Sequence, residues 1–289
     1  MRIYLDCLPC FFRQALDAAR RATDDERIQR AVLDRVASAM PAFPLNVTPI
    51  EVGRDVYRIA REVTGVDDPY REAKRADNER VAALLPRLRA RVEASVDPLR
   101  TALTLAAAGN LIDFGVRSTV DLDHAIEQGL EDGKGMVDYP LLRERIASVD
   151  EVLYLGDNAG EIVLDKLVVE RFSDLGKRVT FVVRGQPIIN DATVEDAALV
   201  GMGDVADVVS SGSDGPGTAL RSCRPAFVDA FRRADLILSK GQGNFEGLSD
   251  EEAPLFFLLT VKCPVVAREL QAEIGTTVLR AQETDGRPG

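Results

Sequence analysis

The spacing of apolar residues divides the chain into a helical first half and a second half in which strands and helices alternate. In the first half, apolar residues recur every three or four positions, which is the period of a helix with one buried face. Proline clusters and Gly65 separate these segments, and Gly65 is suited to end a helix. We predict an all-helical part over residues 1–145. Its helices are expected over residues 8–21, 27–40, 50–64, 70–90 and from Pro98 onward, and Pro86 is a candidate interruption of the fourth.

From residue 150 the period changes, because short apolar runs are each followed by glycine or polar residues. Helical patterns lie between most of these runs, and such alternation predicts right-handed βαβ units and a parallel sheet. We predict an α/β part over residues 146–289. Its strands are expected at 152–155, 179–183, 205–209 and 236–238, with helices at 160–175, 194–201 and 224–233. A further helix is expected near 255–260, before a fifth apolar run at 264–267.

Composition narrows the classes of protein to which the chain can belong. Its 289 residues are 46% hydrophobic and 29% charged, which is typical of a globular protein with a buried core. The formal net charge is -11 and no basic block occurs, so we expect no nucleic-acid partner. No apolar run is long enough to cross a bilayer, so no membrane partner is expected either. The first residues lack the apolar core of a signal peptide, and the four cysteines fit a reducing cytoplasm.

The chain has a single histidine, His124. That count disfavours Ser-His-Asp hydrolysis and histidine-rich zinc sites. Cys7 and Cys10 form a lone CxxC, which by itself supplies too few ligands for zinc and opens a helical region rather than a βαβ unit. Cys223 and Cys263 could complete a zinc site only if the fold brings them close. We therefore interpret Cys7 and Cys10 as buried structural thiols.

The segment 151–166 is the best candidate for chemistry. Asp157 and Asn158 follow its buried strand directly, just before a helix begins. In parallel α/β sheets, ligands lie beyond the carboxyl ends of the strands, and carboxylate and amide oxygens bind hard cations. The segment thus suits a metal and a phosphate together. The alternative is a simple helix cap, and this segment alone does not decide between the two.

Other predicted strand ends place polar residues at the same edge of the sheet. Two aspartates and an asparagine can hold Mg²⁺ or Mn²⁺, and a lysine such as Lys240 can supply a point charge for phosphate. Gly241 permits close backbone approach, although its surroundings are not a dinucleotide fingerprint. Each residue alone also fits a cap, a turn or a solvated charge. The candidates are Asp157, Asn158, Glu161, Arg184, Asn190, Asp191, Lys240, Gly241, Asn244 and Glu246, together with Asn110 and Asp113, which contact the site or form a turn.

Taken in order, these segments resemble the metal-dependent damage-control phosphatases, also known as the domain-of-unknown-function-89 family. The resemblance covers nearly the whole chain, and the CxxC is similar to that of the archaeal and bacterial branch. Its motifs are Cys7-x-x-Cys10, Asp68-Pro69-Tyr70 with Lys74 and Asn78, Gly109-Asn110-x-x-Asp113, Gly156-Asp157-Asn158-Ala159-Gly160-Glu161, Asn190-Asp191-Ala192-Thr193 and Lys240-Gly241-Gln242-Gly243-Asn244-x-Glu246.

The resemblance implies a Rossmann-like sheet after an all-helical part. It implies a divalent cation (Mg²⁺, Mn²⁺, Co²⁺ or Ni²⁺) held by Asp157, Asn158 and Asp191, with Lys240 on the phosphate. The expected activity is hydrolysis of small phosphorylated metabolites such as sugar phosphates, with Asp157 or Asp191 positioning the nucleophile. The alternative is a sensor that binds a phosphorylated metabolite or nucleotide without turning it over.

Overall fold

The computed structural model describes residues 1–112 and 135–282, and the side chains of residues 108–112 are outside that description. The helices before the sheet follow the predicted periods, with one break near Pro86 that separates two short helices. They are α1 (Cys7–Ala22), α2 (Glu26–Ala39), α3 (Pro49–Thr64), α4 (Arg71–Ala82), α5 (Leu85–Glu93), α6 (Pro98–Ile112) and α7 (Tyr139–Ser148). Gly65 ends α3 in the left-handed conformation, with φ of 70°.

Within the described residues, the α/β half forms one six-stranded sheet. Its strand order is β3-β2-β1-β4-β5-β6, and all pairs are parallel except the last. This is the doubly wound order in which the crevice for ligands opens between β1 and β4. The strands are β1 (Glu151–Leu155), β2 (Arg178–Val183), β3 (Asp207–Ser210), β4 (Ile237–Lys240), β5 (Leu255–Thr260) and β6 (Thr277–Ala281). The helices are α8 (Glu161–Asp174), α9 (Val194–Leu199), α10 (Pro225–Arg233), α11 (Gln242–Leu248) and α12 (Pro264–Leu270).

Both faces of the sheet are covered. Alternate residues of β1 enter different cores: Val152 and Tyr154 pack with α6, α7 and α8, whereas Leu153 and Leu155 pack with α10, α11 and α12. A third core joins α1, α2 and α3 to Ile188, which lies beyond β2. Within the described part of the chain, no helix is long and apolar enough to cross a membrane.

Two segments near the end of the chain differ from the prediction. Residues 255–260, predicted as a helix, form β5, and residues 264–267, predicted as an apolar run after that helix, lie in α12. β5 is buried along its whole length, so its pattern lacks the alternation that marks a half-exposed strand. Cys263 caps α12 and Pro264 occupies its first turn, which favours a helix. The antiparallel edge strand β6 was not predicted.

Candidate active site

The site forms where β1 and β4 end side by side. The two strands are parallel neighbours, and Leu155 is paired with Ser239. The segment after β1 therefore passes directly over Gly241. Gly241 has φ of 83°, and a Cβ there would overlap the carboxylate of Asp157. The glycine thus leaves the space in which the Asp157 side chain lies.

A short antiparallel contact brings Asp191 to Asn158. The amide of Ala159 donates to Asn190 O at 2.8 Å, and the amide of Ala192 donates to Asp157 O at 2.8 Å. These bonds tie the segment after β1 to the loop after β2. Two strand ends therefore place Asp157, Asn158 and Asp191 together, as the sequence pattern anticipated, with 4–7% of the surface of each residue exposed.

The orientation of the Asn158 amide follows from its neighbours. Its Nδ2 donates to Glu161 Oε1 at 2.8 Å and to Asp157 Oδ2 at 3.2 Å. Both neighbours are acceptors, so the NH₂ group is fixed on that side and the carbonyl Oδ1 lies on the other. An oxygen ligand is thereby available beside two carboxylates.

Asp191 is held by a buried arginine. Arg184 Nε donates to Asp191 Oδ2 at 2.6 Å, and the amide of Gly217 donates to the same oxygen at 3.0 Å. The other donors of Arg184 reach Thr218 Oγ1 and Asn244 Oδ1, each at 3.0 Å. Only 1% of Arg184 is exposed, so it supports the site from behind.

Acidic groups crowd the centre of the site. Burial raises the pKa of Asp157 well above its usual range, and the charges of Glu161 and Asp191 raise it further. Arg184 and Lys262 lower the pKa of the same carboxyl. A divalent cation would relieve this concentration of negative charge.

The carboxylates open into a cavity of about 290 Å³, between the sheet edge and the N-terminal helices. Of the predicted residues, Asp157, Asn158, Asn190, Asp191 and Glu246 line it. Several further wall residues were not predicted, among them Asp6, Gln14, Gln242 and Lys262. The thiols of Cys7, Cys10 and Cys263 are half-buried and also line the cavity, so the prediction that Cys7 and Cys10 are buried is wrong.

Lys262 lies two residues beyond β5. Because residues 255–260 were predicted as a helix, no strand end was expected there and Lys262 was not predicted as a site residue. Gln242 fixes its backbone, since Gln242 Oε1 accepts from the amide of Lys262 at 3.0 Å. The Nε2 of Gln242 donates to Glu246 Oε1 at 2.8 Å. A strand with a lysine just past its carboxyl end is the signal that would have identified it.

Lys240 occupies a different place from the one expected of a phosphate ligand. Its ammonium is fully buried and donates to Asp165 Oδ1 at 2.9 Å and to Ala106 O at 2.8 Å. Although burial lowers the pKa of Lys240, Asp165 and Glu161 raise it above its ordinary value. It therefore stays charged behind the site and does not line the cavity.

The remaining predicted residues support the site from within the fold. Asn244 is fully buried and donates to the carbonyls of Gly156 and Lys240, at 3.1 and 2.7 Å. Glu161 is 2% exposed and accepts from Asn158. Asp113 and His124 lie outside the described residues, as does the side chain of Asn110.

The donor set fits a hard cation. It consists of two carboxylates and one amide oxygen, the ligands that Mg²⁺ and Mn²⁺ take in proteins. In the described part of the chain, no group of three His, Cys, Asp or Glu side chains is placed to hold a metal. Asp157 and Asp191 supply two carboxylates and Asn158 an amide oxygen, so this candidate set is not a group of that kind.

Comparison with known proteins agrees with this architecture. The family model for the "Damage-control phosphatase ARMT1-like domain" matches residues 3–278. A damage-control phosphatase of Pyrococcus horikoshii is 33% identical over 282 residues, which cover 96% of this chain and 97% of that protein. Another, from Archaeoglobus fulgidus, is 33% identical over 98% of this chain and 100% of its own length. An uncharacterized protein of Methanocaldococcus jannaschii is 33% identical over 290 residues, which cover 96% of this chain and 95% of that protein.

A solved structure shows the same fold. The crystal structure of a DUF89 family protein from Pyrococcus horikoshii superposes with a TM-score of 0.88 at 33% identity. The match covers 98% of this chain and all of the other.

Proposed function

Because this chain belongs to the damage-control phosphatase ARMT1-like family and is a phosphatase of metabolite damage control, we propose that it is a metal-dependent phosphomonoesterase. The observation that carries the proposal is the convergence of Asp157, Asn158 and Asp191 on one cavity. Mg²⁺, Mn²⁺, Co²⁺ and Ni²⁺ are the candidate ions. When bound, the cation would neutralise phosphoryl oxygens as the ester bond breaks.

The residues of the chain supply the rest of the chemistry. Lys262 is the lysine that lines the cavity within the described residues, and its charge acts on Asp157. We assign to Lys262 the electrostatic role on the phosphate that the sequence analysis gave to Lys240. Asp157 and Asp191 can orient the attacking water. Their low exposure lowers the local dielectric constant, which strengthens each of these interactions.

The cavity favours a small substrate. About 290 Å³ accommodates a molecule of metabolite size, and uncharged polar groups on its wall, such as Gln14, Asn190 and Gln242, can hydrogen-bond hydroxyl groups. Phosphorylated sugars therefore fit the cavity chemically. The strongly acidic surroundings require that a cation and Lys262 offset the charge of the phosphate.

The test is phosphate release from a panel of sugar phosphates, measured on metal-stripped protein and after addition of Mn²⁺, Mg²⁺, Co²⁺ or Ni²⁺. We expect no release after chelation and restored release with at least one ion. Full activity in excess EDTA would refute the metal requirement.

Lys262→Ala tests the phosphate assignment in the same assay. Removal of one electrostatic stabiliser lowers kcat by roughly 100-fold or more. The matched control is Lys177→Ala, because Lys177 donates to Val149 O, away from the cavity. Wild-type kcat/KM for Lys262→Ala would exclude its role on the phosphate.

A further inference from the structure

Behind the proposed cation ligands lies a buried network of charged side chains that the proposed reaction leaves without a role. Glu161, Asp165, Lys240 and Tyr154 are each at most 2% exposed. The Nζ of Lys240 lies 2.9 Å from Asp165 Oδ1 and 3.6 Å from Glu161 Oε2. The hydroxyl of Tyr154 donates to Asp165 Oδ1 at 2.7 Å. The network links the core of the sheet to the site.

This network is costly to bury. Two carboxylates share one ammonium, and Glu161 Oε2 and Asp165 Oδ2 have no hydrogen-bond partner. A protein with buried ions and unsatisfied polar atoms is often less stable than one with apolar side chains of similar size at the same positions. Glu161 accepts a hydrogen bond from Asn158, so this network of buried charges directly contacts a proposed cation ligand and can influence it.

The point of contact is the amide of Asn158. An asparagine amide can turn about its terminal torsion and exchange its oxygen for its nitrogen at little intrinsic cost. Glu161 Oε1 accepts from Nδ2 at 2.8 Å and so opposes that exchange. Asp157 Oδ2 gives a weaker restraint at 3.2 Å. A cation needs the oxygen on the opposite side.

We propose that Glu161 is a positioning residue that fixes the Asn158 amide with its oxygen toward the cation, and that Lys240 holds Glu161 in place. This inference rests on the proposed metal-dependent function. It assigns Glu161 and Lys240 to the support of a ligand rather than to the substrate, in agreement with their burial outside the cavity wall. Partners of metal ligands act in this way in other metalloenzymes.

The first test is Mn²⁺ affinity of metal-stripped protein, measured by calorimetry or electron paramagnetic resonance without substrate. Glu161→Gln keeps the shape of the side chain but removes its charge, and its NH₂ group competes with that of Asn158. We expect the Mn²⁺ Kd to rise by about 10- to 100-fold. Glu170→Gln is the matched control, because Glu170 lies on the same helix and pairs with Arg89. Its Kd should equal that of the wild type.

The second test reverses the hydrogen bond. Asn158→Asp supplies a stronger ligand in isolation, yet it places a carboxylate against Glu161 and Asp157, so we expect weaker Mn²⁺ binding. In the double variant with Glu161→Gln, the new amide can donate to the new carboxylate, and affinity should recover relative to Asn158→Asp. A merely structural Glu161 predicts additive losses instead.

These tests distinguish failure of the positioning role of Glu161 from failure of the proposed metal-dependent function. If the wild-type protein binds no Mn²⁺, the metal-dependent function itself fails. If the wild type binds Mn²⁺ and folded Glu161→Gln binds it equally well, the positioning role is refuted. Should Glu161→Gln not fold, the role is refuted when the folded Asn158→Asp and double variants bind Mn²⁺ equally, and supported when the double variant binds it more tightly.

Discussion

At the scale of single residues, the two lysines near the site have opposite surroundings. Lys240 is fully buried with Asp165 and Glu161, so Lys240→Met leaves two carboxylates without their cation. Loss of one partner from a buried pair lowers the free energy of unfolding by about 3–5 kcal/mol. Lys262→Met, at the cavity wall, should change it by only about 0.5 kcal/mol. Urea denaturation of both variants measures the difference. Equal stabilities would mean that Lys240 is not the charge that compensates this network.

Glu246 gives the protein a pH dependence that can be worked out in sign. Burial raises its pKa from 4.5 to about 7, while Gln242 and the N-terminal ammonium oppose the rise. The folded state therefore holds this proton more tightly than the unfolded chain. Its contribution to stability is complete below pH 4.5 and is lost as the pH rises through about 7.

Glu246→Gln should flatten that dependence, because the amide does not titrate. The measurement is Tm of metal-stripped protein between pH 5 and pH 8, chosen from the range of the pKa change. Glu252→Gln, at an exposed position, is the control and should keep the wild-type slope. A wild-type slope in Glu246→Gln would show that another group causes the dependence.

Residue types at the strand ends could be predicted from the sequence, but their orientation could not. Asp157 and Asp191 came together as expected because the ends of parallel strands share one edge. Lys240 also follows from that rule, yet it turns inward to Asp165. The difference depends on which acceptors of α6 and α8 lie behind the strand, namely Ala106 O and Asp165 Oδ1. The pattern of one sequence does not show which groups of other elements will pack there.

At the scale of elements, α4 braces the loop that carries the candidate ligands. Asn78 Oδ1 accepts from the amide of Gly160 at 2.6 Å, and its Nδ2 donates to Asp196 Oδ1 at 3.3 Å. Lys74 lies 3.1 Å from the same aspartate. The helical half of the chain thus fixes the turn between Asp157 and Glu161.

Asn78→Ala should loosen that turn. It leaves the buried amide of Gly160 without its acceptor, which costs about 1–3 kcal/mol of unfolding free energy. Mn²⁺ affinity should fall as well, because the ligands lose their fixed position. Arg75→Ala, on the exposed face of the same helix, is the control and should change neither. Wild-type affinity in a destabilised Asn78→Ala would limit α4 to a structural role.

There is a physical reason why residues 255–260, predicted as a helix, form the strand β5. Six consecutive buried residues, Leu255–Thr260, show neither the period of a strand nor that of an amphipathic helix. The central position of β5, between β4 and β6, is decided by tertiary pairing. By contrast, α1 and α3 each bury one face, so their periods were sufficient to predict them.

At the scale of the whole molecule, an acidic chain concentrates negative charge where it would bind a phosphate. The net charge is -11, and Asp157, Glu161 and Asp191 lie together at the centre. The helical half and the sheet enclose this charge between them. The metal-free protein therefore carries a destabilising centre that a cation would relieve, so stability and metal binding should be coupled.

Asp157→Asn separates the effect of the buried charge on stability from the effect of metal binding on stability. The variant removes a buried charge that Glu161 and Asp191 oppose, so the metal-free protein should be at least as stable as the wild type. It also replaces a charged ligand with a neutral amide oxygen, which binds a divalent cation more weakly, so the gain from Mn²⁺ should be smaller than in the wild type. For the wild type, Mn²⁺ at 100 times its Kd should add about 2.7 kcal/mol of unfolding free energy. Differential scanning calorimetry with and without Mn²⁺ measures both quantities, and Asp174→Asn, at the exposed end of α8, is the control. If Mn²⁺ raises Tm equally in Asp157→Asn and the wild type, the cation binds elsewhere and the proposed site is wrong.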